Sequence, residues 1–233
     1  VPCPYLDRAP DGVAGWEASG RLQQAAWRED RFYPYSVQDA AQLLATDVSA
    51  ERPFGSADKE GPAPTAFTMA YDKRGWHIYV RADEPRIAEI MATGGQGASS
   101  LEMFFSPGRE RTDYFQWIVR LATGKVSLYN WNTSHRGYRP LEQVPGGFQC
   151  ETLALPEGWG TAIFIPWEFF YDRLPFVESH PQTWRFSMQR WDPSGSVTLG
   201  GRVHETGRWG NILFEPPEAP HRLDMLRSLT QRA

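Results

Sequence analysis

Cysteine is almost absent from this chain: Cys3 and Cys150 are the two in 233 residues. Their spacing matches neither a zinc site nor a redox CxxC. That leaves one disulfide tying the N-terminal arm to a strand, or two unrelated thiols. No apolar run approaches the ~20 residues that a membrane-spanning helix needs, and the opening VPCPYLDRAP carries no signal-peptide pattern. Neither sign of charge dominates, with 24 Lys and Arg against 28 Asp and Glu. The formal net charge is −4 and the pI about 5.8, so no dominant basic field is available for a nucleic acid or an anionic membrane. No G-x-S-x-G, HExxH or phosphate-binding loop occurs. Glu102 and Asp113 can be posed as a glycosidase pair, but nothing in the sequence fixes the carboxylate separation such chemistry needs. A non-catalytic protein is expected.

What is abundant is aromatic side chain, 14% of residues with ten Trp, together with 21 Gly and 19 Pro to supply turns. This mixture suits a β-rich domain with a large aromatic core, and equally one with sugar-like ligands. Residues 1–36 read as an irregular N-terminal arm, 37–45 (VQDAAQLLA) as a short helix or turn, and 50–64 as a polar, Pro-rich loop. From residue 65 the period becomes two. TAFTMAYD and GWHIYVRA (75–82) form a hairpin around Lys73-Arg74, with Trp76, Ile78 and Val80 on one face. SLEMFFS (100–106) follows. DYFQWIVRL (113–121) sets Phe115, Trp117 and Val119 against Tyr114, Gln116, Ile118 and Arg120. KVSLYNW, QCETLAL, WGTAIFIP, WRFSMQRW, SVTLG and WGNILF continue the strands. WEFFYDRL begins as a helical turn after Pro166, and Leu223, Leu226 and Leu229 mark a C-terminal helix within 218–233. Many short strands without βαβ alternation imply an all-β fold, a two-sheet antiparallel sandwich of jelly-roll type, over residues 1–233 as one domain. Trp117, Trp159 and Trp184 lie at apolar phase and are expected in its core.

Several groups suggest contact with a polar, ring-bearing ligand. Glu102 is a carboxylate inside an apolar strand. The stretch YNWNTSHRGYR (129–139) offers Tyr129, Trp131 and Tyr138 for stacking, with Asn130, Asn132, His135 and Arg136 for polar contacts. RWDP adds Arg190 and Trp191.

The order of these pieces resembles family 9 carbohydrate-binding modules and their DOMON-like relatives. The likeness runs from YLDRAPDGVAGWEASGRLQQAAWRED, with Leu22 and Ala26-Trp27, through TMAYDKRGWHIYVRADEP, SSLEMFFSP, YFQWIVRLATGKV, GWGTAIFIPWEFF and WRFSMQRWDP to WGNILFEP, over roughly residues 5–216. It implies a sandwich whose concave face binds an oligo- or polysaccharide in an extracellular or periplasmic setting, often with structural calcium. Glu102 and Gln189 stand at positions where such modules carry a binding carboxylate and amide, groups suited to sugar hydroxyls that donate and accept together. The family's two sandwiching tryptophans fall near Gln96 and Val203, and its arginine near Ile118. The acid before the Ser-Val-Glu run is Ser99 here. The expected site is therefore Glu102, Gln116 and Gln189 on the concave face, closed by Trp131 and Trp191. Asp83 and Glu84, with the segments near Asp11 and Asp72, are the expected Ca²⁺ ligands. The haem-binding DOMON alternative would draw on Met69, Met91, Met103, Met188 and His77, although Met69, Met103 and Met188 also read as strand core. A sandwich that has lost ligand binding is a third reading.

Overall fold

Asp72 organises the first hairpin. Its carboxylate accepts from the backbone N–H of Arg74 (2.8 Å) and Gly75 (3.3 Å), closing the turn between β3 (Thr65–Tyr71) and β4 (Gly75–Asp83). Such Asx-type bonding is the physical reason that Asp leads tight turns. The computed structural model describes residues 2–20, 35–36, 65–95, 98–107, 113–132, 137–140, 146–170, 174–175, 182–192, 195–199, 206 and 209–230. The 37–45 and 50–64 segments and the Leu22 and Ala26-Trp27 motif lie outside the described residues.

In chain order the remaining elements are β1 (Pro2–Cys3), α1 (Gly12–Ser19), β2 (Tyr35–Ser36), α2 (Ile87–Ala92), β5 (Ser100–Ser106), β6 (Asp113–Arg120) and β7 (Lys125–Asn132). Then come β8 (Gly137–Pro140), β9 (Gln149–Leu155), β10 (Gly158–Pro166), a 3₁₀ turn (Trp167–Phe170), β11 (Gln182–Asp192), β12 (Gly195–Leu199), β13 (Gly210–Phe214) and α3 (Ala219–Thr230). Among the described residues they build two sheets. One has eight strands, ordered β1-β13-β11-β5-β6-β7-β8 with β12 beside β11; the other has five, ordered β2-β3-β4-β10-β9. All pairings are antiparallel except that of β1 with β13. The fold is the all-β sandwich expected, and no helix among the described residues is long and apolar enough to cross a membrane.

The inner faces are supplied by alternate residues, as the period of two requires. Leu101, Met103 and Phe105 of β5, Trp117 and Val119 of β6, and Trp184, Phe186 and Met188 of β11 meet Phe67 and Met69 of β3 and Trp76, Ile78 and Val80 of β4. Trp76 sits at the centre, edge-on to Phe105 (5.4 Å), Trp184 (5.8 Å) and Phe214 (5.8 Å). Such T-shaped contacts add to the burial of the rings themselves. Trp117, Trp159 and Trp184 are all buried, so much of the tryptophan content is core.

Two short helices stand where the sequence pattern marked no regular element. Within the arm, α1 buries Val13 and Trp16 against the outside of the five-stranded sheet, where Trp16 stacks on Tyr79 at 5.8 Å. Its start is held from outside: Glu151 Oε2 accepts from Val13 N at 2.6 Å. Gly12, at φ 64, fits there because a Cβ would lie 2.5 Å from that same oxygen. α2 buries Ile90 alone, too little apolar periodicity to be read as a helix. Cys3 is buried on β1 and Cys150 lies half-buried on β9, and both are free thiols.

Candidate functional site

The outer face of the eight-stranded sheet carries the complementary set of strand residues. Because Leu101, Met103 and Phe105 point inward, Ser100, Glu102 and Phe104 point outward. Register aligns cross-strand rows on this face: Trp191 with Ser100 and Arg120, Gln189 with Glu102 and Ile118, and Ser187 with Phe104 and Gln116. Glu102, Gln116 and Gln189 are thus brought together, as the sequence suggested. Gln116 is 6% exposed and Gln189 4%, while Glu102 is half-buried.

Gln116 Nε2 donates to Glu102 Oε2 at 2.9 Å. Burial pushes the Glu102 carboxyl above its ordinary pKa, and the Gln116 bond offsets this only in part. Gln189 Oε1 is buried without a hydrogen-bond partner among the described residues. Left so, such an acceptor carries a desolvation cost of about 1–3 kcal/mol. Beside the polar group lies an aromatic floor. Trp209 packs edge-on to Tyr114 at 5.0 Å and against Phe104 at 5.9 Å, all three nearly inaccessible.

At the end of this face Trp191 is 46% exposed and borders a cleft of about 320 Å³, which Arg120, Ser99, Ser100, Thr123 and Gly95 also line. Trp131 takes the register position opposite Tyr114, which puts it in the same phase as the outward residues. Its side chain, like that of Asn132, is outside the described set, and so is His135 altogether.

Other expected ligands are elsewhere. Asn130 pairs in register with Phe115, a residue packed on the core, so it has the opposite phase to Gln116. Arg190 points into the sandwich and is fully buried. There its guanidinium donates to Ser99 Oγ (3.1 and 3.2 Å) and Thr65 Oγ1 (3.2 Å), and approaches Glu84 Oε2 at 3.5 Å. It joins the two sheets and cannot touch a ligand on the outer face. Asp113 shares the phase of Phe115 and Trp117, opposite to that of Glu102, so these two carboxylates do not flank one site.

Of the expected cation ligands, Glu84, Asp72 and Asp11 are each paired with a guanidinium group. Glu84 is 2% exposed, and besides Arg190 its carboxylate takes Arg86 Nε and Arg86 N, each at 3.3 Å, and Ser99 Oγ at 3.3 Å. Two guanidinium groups already neutralise it, and a divalent ion beside them would meet like charge. Arg74 plays the same part nearer the arm, with Nη2 2.8 Å from Asp72 and Nη1 3.0 Å from Asp11. Among the described residues no three His, Cys, Asp or Glu side chains gather as a cation would need. Haem ligation meets a similar obstacle. Met69, Met103 and Met188 lie inside the sandwich, whereas His77 faces outward from β4, 3.2 Å from Asp72 and 4.8 Å from the Phe164 ring.

Sequence comparison finds neither a matching protein-family model nor a matching curated protein. Solved structures do share the fold. A presumptive carbohydrate-binding protein from Bacteroides uniformis aligns with TM-score 0.57 at 12% identity, over 92% of this chain and 98% of that one. A family 9 carbohydrate-binding module from Caldicellulosiruptor kristjanssonii, solved with cellotriose, aligns with TM-score 0.52 at 11% identity, over 94% and 95% of the two chains. At these identities the likeness is one of architecture, and it agrees with the fold expected from the sequence.

Proposed function

We propose that the protein binds an oligo- or polysaccharide, without catalysis, on the outer face of its eight-stranded sheet. The unpartnered Gln189 Oε1 beside the Glu102–Gln116 pair is the observation that carries this reading. A sugar hydroxyl can donate to an amide oxygen and a carboxylate at once, and the exposed Trp191 at the end of this face suits the C–H face of a pyranose. The cellotriose-bound module of the same fold lends it support. Such binding belongs to a setting outside the cytoplasm, where polysaccharides and the enzymes that act on them are met.

A glycan array followed by titration calorimetry tests the proposal. At least one saccharide should bind, and Gln189→Ala should weaken it about tenfold or more, as expected for a lost hydrogen bond to a polar network. Failure of every glycan to bind the folded protein overturns it.

A further inference from the structure

At the end of that face, register lays Trp191, Ser100, Arg120 and Lys125 in one row across β11, β5, β6 and β7. Arg120 and Lys125 are directly opposite each other, flanking the β6–β7 turn, and both are exposed. Like charges in facing positions of an antiparallel pair repel. Neither cation has an ion-pair partner among the described residues. The nearest carboxylate in register, Glu102 in the adjacent row, takes the Gln116 amide instead. In a chain of net charge −4 this is a local reversal of sign. It sits beside a half-exposed tryptophan, and the 320 Å³ cleft that Trp191 and Arg120 share is of the size a monosaccharide ring needs.

Building on the saccharide-binding reading above, we propose that this cleft is a subsite for an acidic sugar, a uronate. The pyranose face packs on the Trp191 indole. Its carboxylate accepts two hydrogen bonds from the planar Arg120 guanidinium, and Lys125 adds a second positive charge. Arginine's rigid fork matches a carboxylate in a way that a hydroxymethyl group does not. A neutral sugar in the same place would leave the Arg120–Lys125 repulsion unrelieved.

The test is an array and titrations with pairs of oligosaccharides that differ only in carrying a hydroxymethyl group or a carboxylate at C6. The uronate member should bind roughly tenfold more tightly at low salt, the worth of a charge-assisted hydrogen bond. That advantage should shrink as salt is added. In Arg120→Gln the ratio within each pair should fall toward one, with the melting temperature held as a control on folding. Neutral members bound equally or better would overturn the acidic subsite while leaving saccharide binding intact. A uronate preference that survives Arg120→Gln would overturn it too, because the cleft would not be its reader. If no member of any pair binds, both readings fall together.

Discussion

Gln116 reaches diagonally across the sheet to Glu102, its Nε2 donating to Oε2 at 2.9 Å although register pairs Gln116 with Phe104 and Glu102 with Ile118. The bond holds a partly desolvated carboxylate in one orientation, at a cost to the fold. Burial raises the Glu102 pKa, so ionised Glu102 is disfavoured in the folded state. Its contribution to stability is complete below its unfolded pKa of about 4.3 and is lost as pH rises through the folded value. Glu102→Gln should therefore raise the melting temperature at pH 7 and leave it nearly unchanged at pH 3, while weakening saccharide binding. Thermal scans at the two pH values, paired with calorimetry, check both signs.

The opposite sign holds for Asp72. Burial pushes its carboxyl up, but hydrogen bonds from His77 and Arg74 outweigh this and hold it well below the usual carboxylate range. Stability from Asp72 is present above its unfolded pKa of about 3.9 and drains away as pH falls toward the folded value. Asp72→Asn should flatten the acid limb of a stability-versus-pH curve below about pH 4, and should loosen the arm, whose Ala9 N donates to Asp72 Oδ2 at 3.1 Å.

Removing Arg190 should damage the fold and not a ligand site. Arg190→Met leaves Glu84 buried with Arg86 as its remaining cationic partner, and breaking one side of a buried pair costs about 3–5 kcal/mol. The double variant Glu84→Leu/Arg190→Met should recover much of that loss, since the uncompensated charge is gone. Urea unfolding of the three proteins measures the difference.

Both thiols should be slow to react in the native protein. Burial pushes Cys3 well above the ordinary thiol range and Cys150 up to about 11. At pH 8 a thiol reagent should label neither quickly, and both promptly once denaturant is added. Electrophoretic mobility should be the same with and without reductant.

The strands were legible because alternation is a local signal. GWHIYVRA and DYFQWIVR both alternate, and the second already places Gln116 and Arg120 together. The face of the first expected to be wetter is buried, however, His77 at 3% and Tyr79 at 0% exposure, with Trp16 of α1 stacked on Tyr79. The 1–36 arm was harder. Val13 and Trp16 are three residues apart among Ala, Gly and polar neighbours, and α1 depends on Glu151, 138 residues away, to hold its first turn. Arg190 shows the limit most clearly. Its phase in WRFSMQRW, in step with Trp184, Phe186 and Met188, says inward, but an arginine is expected outside unless a partner is known. That partner, Glu84, is 106 residues distant and invisible to any local pattern. Asn130 is the converse case, a polar residue in a promising segment whose phase turns it from the face where Gln116 stands.

The two-residue strand β1 sets an order of events on folding. Pro2 and Cys3 pair in parallel with Leu213 and Phe214, Cys3 O accepts from Glu215 N at 3.2 Å, and Leu6 N donates to Tyr71 O at 2.8 Å in the other sheet. Pro2 and Cys3 are thus bound on one side by residues translated long after them. Their partners in β3 arrive early, but the clasp to β13 must wait until about residue 215 is free, with the edge of the larger sheet open until then. Loop-closure entropy rises only slowly with length, by about 0.6 kcal/mol per doubling, so the wait is one of timing more than of free energy. In stalled nascent chains, protease protection of residues 2–6 should appear only after β13 has emerged and docked.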